Sequence, residues 1–268
     1  MDESCLSAKL YFGHVNELID QCDYILIPRV VDFGVRRVMC TRFQSLYDLV
    51  ENIFPQYKNK FLIWNVDPRH GSDELHAFEK LGEELDISRK LSKKAYRKAK
   101  KVADEFWKEK VKNQYAVLKQ KGRKVLVVGH SYVLEDAFSN SCLEQKLADL
   151  HVEVHRWMNL THRNLHYAGE KNLNVSIRDY CTYEMGPTST ANIWCAKKYA
   201  EEGFDGIIHV KSAGCTPEID IMPALQNIGS DYKIPILYLT YDSQTSDTGL
   251  MTRIEAFYDM IGMRRKVI

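Results

Sequence analysis

GFDGIIHVKSAGCTPE, residues 203–218, predicts a buried strand, a turn and the start of a helix. The strand is the mostly apolar run 206–210, and Gly214 and Cys215 form the turn that follows it. Pro217 suits the first turn of a helix, because no backbone N–H is needed there. Ligands of open α/β sheets bind beyond the carboxyl ends of the strands, beside helix N-termini. The pattern therefore places Cys215 at a position where ligands bind.

Strands and helices continue to alternate beyond this segment. A helix is expected over residues 218–227, a second apolar strand over 234–239 and a long helix near 252–261. Strands that alternate with helices are typical of parallel sheets. We predict an α/β fold with two lobes of mostly parallel sheets, joined by long helices, and a ligand cleft between the lobes. The N-terminal lobe, with the long connecting helices, is expected to span residues 1–121, and the C-terminal lobe residues 122–268.

The N-terminal lobe combines short apolar strands with a long helical segment. Strands are predicted over residues 22–28 and 61–66, and a shorter one over 36–39 leads into Cys40. Residues 72–121 follow a helical pattern, and one face of it carries apolar or small side chains: Leu91, Ala95, Ala99, Val102 and Phe106. The opposite face is rich in Lys and Arg. Such a face is usually solvated, and nucleic-acid binding is the alternative.

Composition and charge favour a cytoplasmic protein with reduced thiols. The formal net charge of +1 gives no global electrostatic case for binding nucleic acid or an anionic membrane. No apolar run reaches the length of a transmembrane helix, and the first residues lack the basic and apolar segments of a signal peptide. Seven cysteines without close, regular spacing do not match a secreted disulfide framework. In the cytoplasm, disulfides are rare.

Three of the cysteines are candidates for a shared site. Cys5, Cys40 and Cys215 each stand beside a predicted loop or strand end, and all three are compatible with one cleft between the lobes. Cysteine thiolates are the usual ligands of iron–sulfur clusters. No C-x-x-C is present and the separations are long, so spacing leaves two alternatives open. The three thiols hold a metal, or they act as small buried hydrophobes.

The other cysteines carry weaker signals. Cys22 precedes an apolar strand and Cys195 lies beside apolar residues of a predicted helix, so both are expected in the core. Whether Cys142 or Cys181 adds a ligand stays open. The sequence contains no G-x-x-x-x-G-K-[ST], G-x-G-x-x-G or G-x-S-x-G motif.

Six groups of short motifs occur in a fixed order along nearly the whole chain. They are CLSAK (5–9) with GHV (13–15), DYILIPR (23–29) leading to CTRF (40–43), GHSY (129–132), DGII (205–208), GCTP (214–217) and TRIEAF (252–257). Each is weak alone, but together they resemble the family related to 2-hydroxyacyl-CoA dehydratases and the extra region of their activases. The sequence departs from that pattern at Thr41 and Thr216, where relatives usually carry Pro and Gly, and at Ser7-Ala8, where they carry Pro-Val.

The resemblance implies flavodoxin/Rossmann-like α/β lobes and a cysteine-held iron–sulfur cluster. In the better understood dehydratases, three cysteines hold a [4Fe–4S] cluster with one iron left open, and an ATP-driven activase supplies a low-potential electron. Carried over by position, Cys5, Cys40 and Cys215 match the motif cysteines of the family. The resemblance thus implies that these three are the metal and cofactor ligands, and that the cofactor is a [4Fe–4S] or related cluster.

The resemblance also implies a function. We expect an iron–sulfur protein that takes part in low-potential electron transfer or in reduction of a small substrate, in an anaerobic setting. Its expected partner is an electron donor or an activase, and a homo- or hetero-oligomer stays open. The alternatives are a non-catalytic subunit or scaffold, and a metal-free, ligand-binding α/β protein. Relatives usually have a further α/β segment before the first motif cysteine, so a fragment, a shortened version and one of two subunits are all open.

Overall fold

The computed structural model describes residues 4–32, 38–117, 122–156, 176–183, 185–242, 245 and 247–267. Within these ranges the strands form two parallel sheets, one of two strands and one of four. The strands are β1 Ile25–Val30, β2 Phe61–Val66, β3 Lys124–Gly129, β4 Glu153–Arg156, β5 Gly206–Ser212 and β6 Ile236–Tyr241. This arrangement confirms the predicted α/β fold class with parallel sheets.

Helices connect the strands and flank them in sequence. They are α1 Leu6–Leu18, α2 Thr41–Gln44, α3 Leu46–Ile53, α4 Glu74–Glu84, α5 Arg89–Val117, α6 Ser131–Leu134, α7 Leu143–Asp149, α8 Pro187–Glu201, α9 Thr216–Asp220, α10 Met222–Asp231 and α11 Asp247–Val267, with 3₁₀ turns at Pro55–Lys60 and Pro68–His70. Among the helices that the structure describes, none combines the length and the apolar character that a membrane span requires.

The chain divides into two compact units. The N-terminal unit is Ala8–Glu109, and the C-terminal unit combines Met1–Ser7 with Lys110–Ile268. The first residues of the chain therefore belong with the C-terminal unit, and they carry Cys5 into it. The lobe boundary predicted after residue 121 stays a prediction.

The C-terminal unit is built on the four-stranded sheet, in the order β4-β3-β5-β6. Residues 125–128 of β3 are all buried, as expected for a central parallel strand that is covered on both faces. Helix α11 contributes apolar side chains at helical spacing to the same core: Leu250, Ile254, Phe257 and Ile261. All strands of this sheet run parallel, so their carboxyl ends lie at one edge.

The N-terminal unit contains the pair β1 and β2, whose register runs from Ile25 opposite Phe61 to Val30 opposite Val66. Val30, Val66 and Ala77 form a small core there. Helix α4 begins after Asp73, whose carboxylate accepts a hydrogen bond from the backbone N–H of His76 at 2.8 Å.

Some predicted elements differ from the structure. The strand predicted over residues 36–39 falls partly outside the described residues, and residues 38–40 have no regular structure. The helix predicted over 218–227 is instead the two helices α9 and α10. The apolar face of α5 is largely open to solvent, because Val102 is 60% and Phe106 49% exposed.

Candidate functional site

Cys5 and Cys215 come together in the C-terminal unit, although they stand near opposite ends of the sequence. Gly214 immediately precedes Cys215 and has a left-handed φ of +75°. A Cβ placed on Gly214 would lie 3.3 Å from the Cα of Cys5, which is tighter than most Cβ contacts. The turn at the end of β5 therefore passes directly against the backbone of Cys5, and a glycine makes that approach possible.

Two hydrogen bonds hold the N-terminal residues in this position. The backbone N–H of Leu6 donates to the carbonyl of Ala213 at 3.2 Å. The hydroxyl oxygens of Ser7 and Ser212 lie 2.6 Å apart, with either one as the donor. Both bonds flank the contact between Cys5 and the turn, so they fix the spacing of the two cysteine backbones.

Cys215 lies where the sequence predicts it, at the start of a helix that follows β5. It precedes α9, and Pro217 stands in the first turn of that helix. Its side chain is buried, with 6% of the residue exposed. Cys5 is half-buried.

A buried carboxylate lies one helical turn after Cys215. Glu218 is 1% exposed. Its Oε2 lies 2.5 Å from His209 Nε2, and Asn192 Nδ2 donates to its Oε1 at 3.2 Å. His130 Nδ1 lies 2.5 Å from Oε1, in an ion-pair contact that lacks the alignment of a hydrogen bond. Both carboxylate oxygens are thus paired, as a charge removed from water requires.

The three partners of Glu218 come from three different parts of the fold. His209 lies in β5 and is fully buried, and His130 follows the last residue of β3, Gly129, which pairs with Val210. Because β3 and β5 are parallel neighbours, His130 and the turn after β5 reach the same sheet edge. Asn192 comes from α8.

The tautomer of His209 follows from its surroundings. Its Nδ1 is buried and has no hydrogen-bond partner among the described residues. The ring proton therefore belongs on Nε2, where it is donated to Glu218. His209 thus holds Oε2 of Glu218, and the other oxygen, Oε1, contacts Asn192 and His130.

His130 and Glu218 each stabilise the charged form of the other. Burial lowers the pKa of His130, but the charge of Glu218 and the close polar contacts with Glu218 and Cys215 outweigh it and raise that pKa to about 10. Burial raises the pKa of Glu218, but the charge and close contact of His130 and the hydrogen bond with His209 outweigh it and lower that pKa to about 2. At neutral pH the pair is therefore an imidazolium and a carboxylate.

Tyr132 stacks on the ring face of His130, whose Nδ1 edge points to Glu218. The two rings stack with centroids 5.0 Å apart and planes 24° from parallel. Burial, together with the charges of Cys215, Glu218 and Cys5, raises the pKa of Tyr132 far above its ordinary value, against a hydrogen bond with Ser7 that lowers it. Tyr132 is thus a neutral phenol next to both cysteines, and its O–H can donate a hydrogen bond to a bound group.

The residue types suit thiolate ligation of iron, because the backbones of Cys5 and Cys215 lie close together and Cys215 has an imidazole next to it. No group of three or more His, Cys, Asp or Glu side chains has the arrangement of a metal site within the described part of the chain. Cys40, the third predicted ligand, is exposed, immediately precedes α2 and belongs to the N-terminal unit. A site shared by all three cysteines stays a prediction.

The remaining cysteines are distributed through the two units. Cys195 is fully buried in α8, in agreement with a core position, and burial raises the pKa of its thiol well above the ordinary value. Cys22 and Cys181 are half-buried, and Cys142 is exposed. Cys195 is therefore an inert thiol.

The sequence reasoning missed Glu218, His209 and Asn192. One signal was available: His209 interrupts the apolar run of a strand that was predicted to be buried. A buried imidazole needs a polar partner, so this position indicates a second buried polar side chain nearby. The sequence does not reveal that the partner is Glu218, because the pairing depends on how α9 packs.

Two family models match the chain. The model described as the CoA enzyme activase uncharacterised domain matches residues 1–158, and that of the 2-hydroxyglutaryl-CoA dehydratase D-component matches residues 90–261. Each covers more than half of the sequence. Cys5 and Cys40 fall within the first match, and Cys215 within the second. The search of curated proteins found no match. The family resemblance deduced from the short motifs is confirmed.

Proposed function

Because the chain belongs to the family of the CoA enzyme activase uncharacterised domain and the 2-hydroxyglutaryl-CoA dehydratase D-component, we propose that it is an iron–sulfur protein. Its cofactor is a [4Fe–4S] or related cluster, and its ligands are Cys5, Cys40 and Cys215. The protein takes part in low-potential electron transfer or in reduction of a small substrate, and an electron donor or activase is its partner.

The contact between Cys5 and the Gly214–Cys215 turn carries this proposal. The two cysteines approach each other only because Gly214, the residue before Cys215, has no side chain. Cysteines that serve as core hydrophobes are surrounded by apolar side chains. Here the surroundings are polar instead, with Ser7, His130 and the phenol of Tyr132 at hand. Polar side chains around two neighbouring cysteines support a role of these cysteines as metal ligands.

A bound cluster of this kind supplies a low-potential electron and, through an open iron, a position for a substrate oxygen. The protein residues hold and surround it. Cys5 and Cys215 bind from adjacent backbone segments, so the order and spacing of these two ligands are fixed before binding. Tyr132, as a neutral phenol, can donate a hydrogen bond to a bound group, and a hydrogen bond with Ser7 orients the Tyr132 hydroxyl.

The test is purification without oxygen, followed by measurement of iron, acid-labile sulfide and the visible absorption spectrum. We expect stoichiometric iron and sulfide and a broad brown absorbance in the wild type, and loss of both in Cys5→Ser, Cys40→Ser and Cys215→Ser. Cys22→Ser is the matched control, because this half-buried cysteine is not one of the three proposed ligands, and it should keep the wild-type cluster content.

The same experiment separates the alternatives. A wild-type protein that stays colourless after chemical reconstitution under reducing conditions overturns the cluster proposal and leaves a metal-free binding fold. A cluster that binds but takes up no electron from a strong reductant points to a structural role in a subunit or scaffold.

A further inference from the structure

Asp67 and His70 form a close pair of ionisable side chains within the N-terminal unit. Nδ1 of His70 lies 2.7 Å from Oδ2 of Asp67. The Asp67 side chain is only 12% exposed, whereas 77% of the His70 side chain is open to solvent. Asp67 directly follows β2, which pairs in parallel with β1. The pair therefore lies beyond the carboxyl ends of parallel strands, where open α/β sheets bind their ligands.

The loop from Asp67 to Ser72 holds the pair in place. The backbones of these two residues exchange hydrogen bonds, from the Asp67 N–H to the Ser72 carbonyl at 2.7 Å and from the Ser72 N–H to the Asp67 carbonyl at 3.0 Å. The N–H of His70 donates to the same Asp67 carbonyl at 3.0 Å. The Ser72 hydroxyl donates to the carbonyl of Asn65 in β2 at 2.7 Å and so ties the loop to the strand. The backbone thus fixes His70 relative to Asp67.

The Asp67 carboxylate serves the imidazole ring and not the local backbone. Asp67 is the N-cap residue of the 3₁₀ turn Pro68–His70, a position where an aspartate commonly accepts a hydrogen bond from a backbone N–H. Here the side chain makes no capping bond to the described turn and accepts from the His70 ring instead. An ion pair with an exposed partner adds little to stability. Neither capping nor stability therefore accounts for the pair.

The pairing determines which nitrogen of His70 can act as a base. A carboxylate accepts hydrogen bonds, so the proton of the neutral ring lies on Nδ1 and the lone pair on Nε2. Burial raises the pKa of Asp67, but the hydrogen bond and charge of His70 and the charges of two nearby arginines outweigh it and lower that pKa. The ionised carboxylate stabilises the imidazolium that forms when Nε2 takes up a proton. Nε of Arg69 lies 3.8 Å from Oδ1 of Asp67, and its side chain is 44% exposed, so a positive charge stands beside the pair.

We propose that His70 is the proton-accepting residue of a further reactive site, which hydrolyses small activated esters, and that Asp67 is its positioning residue. Water attacks the carbonyl carbon of the ester while a proton of that water passes to Nε2 of His70. The bond from the carbonyl carbon to the leaving oxygen then breaks, and Nε2 returns the proton to that oxygen. The products are an acid and an alcohol, and water is the only other reactant. Arg69 stabilises the negative charge that develops on the carbonyl oxygen. This inference goes beyond the proposed function and involves no cluster.

The test measures the hydrolysis of p-nitrophenyl acetate by the full chain, purified without oxygen. The wild type is compared with His70→Gln, Asp67→Asn and the matched control His14→Gln, since His14 is an exposed histidine of α1 in the same unit. Only the steady-state rate after the initial burst is used. Cysteines that attack the ester contribute to the burst, because their acetyl thioesters release acetate slowly.

We expect His70→Gln to lower kcat by about 10²-fold, the lower end of the range for general base catalysis. Asp67→Asn should lower kcat by about tenfold with an unchanged KM, which is the equivalent of one pKa unit at the base. His14→Gln should keep the wild-type kcat. A wild type without turnover, or a kcat that His70→Gln leaves unchanged, overturns the inference and leaves the proposed cluster intact. An unchanged kcat in Asp67→Asn contradicts the role of Asp67.

A second measurement applies if Asp67→Asn does not fold. Diethyl pyrocarbonate acylates unprotonated imidazole nitrogens, and mass spectrometry of peptides gives the rate at each histidine separately. The reaction is run at about pH 8, above the ordinary histidine pKa of about 6.5. In the wild type, His70 should react several-fold faster than His14, because the carboxylate makes Nε2 the stronger base. Equal rates at the two histidines contradict the support of His70 by Asp67.

Discussion

Gly214 is the residue that tests most directly whether Cys5 and Cys215 act together. Two separate features oppose a side chain at this position. The backbone φ is +75°, and an added Cβ would lie 3.3 Å from the Cα of Cys5. Gly203 has the same kind of backbone, with φ +77°, but nothing lies within 4 Å of its Cβ position. Gly214→Ala and Gly203→Ala therefore share the backbone strain, which costs about 1–2 kcal/mol, and differ in the contact with Cys5.

We expect both glycine variants to lose about 1–2 kcal/mol of unfolding free energy in guanidinium titrations. Only Gly214→Ala should also lose iron, because the added methyl group pushes the Cys5 backbone away from Cys215. Iron content per folded chain, measured after purification without oxygen, checks this. Equal iron content in the two variants would show that the close approach of the cysteine backbones is not needed for binding.

At the level of single residues, the sequence predicted the place of Cys215 in the fold better than the side chains that lie around it. Cys215 follows from the strand, the Gly-Cys turn and Pro217, all of which are local signals. The support by Glu218 and Asn192 could not be predicted, because these side chains meet only after α8 and α9 have packed on the sheet. Such contacts between distant residues have no local signature, apart from the unexpected polar residue His209 within an apolar strand.

At the level of elements, the strands were predicted more accurately than the helices. The run 61–66 agrees with β2 at both ends, since an apolar run bounded by turn residues has sharp limits. The single helix predicted over 218–227 is broken at Ile221, and Pro223 then occupies the first turn of α10. A proline inside a helix removes a hydrogen bond and clashes with the preceding turn, so the chain starts a new helix there.

Helix α5 supplies a test of how far periodicity indicates burial. Val102 and Val111 lie on the same helix, but Val102 is 60% and Val111 only 4% exposed. The same substitution should therefore have opposite effects. Val102→Ala should leave the stability unchanged or raise it by up to about 0.5 kcal/mol, because alanine has the higher helix propensity.

Val111→Ala should instead lower the stability by about 1–2 kcal/mol, because two buried methyl groups are lost from the core. Guanidinium titrations of the two variants and the wild type, followed by circular dichroism, provide the comparison. Destabilisation of similar size by both substitutions would mean that the apolar face of α5 is covered in solution.

At the level of the whole molecule, each of the two units contains a hydrophobic core of its own among the described residues. The N-terminal unit buries side chains around β1 and β2, and the C-terminal unit buries them around β3 and β5. The sequence predicted two α/β lobes from the alternation of strands and helices. It did not predict that the first residues of the chain join the C-terminal unit, because this depends on contacts with the turn after β5.

Two isoleucines form a matched pair for testing whether the cores are independent. Ile27 in β1 and Ile208 in β5 are both fully buried in parallel strands, one in each unit. Replacing a fully buried isoleucine by alanine costs about 2–5 kcal/mol, and units with their own cores are able to unfold separately. Scanning calorimetry of the wild type should then resolve two transitions. Ile27→Ala should lower the midpoint of one transition by at least about 8 °C, and Ile208→Ala that of the other by at least about 4 °C, because the C-terminal unit is the larger one. A single transition that both variants shift equally would mean that the two cores unfold as one cooperative structure.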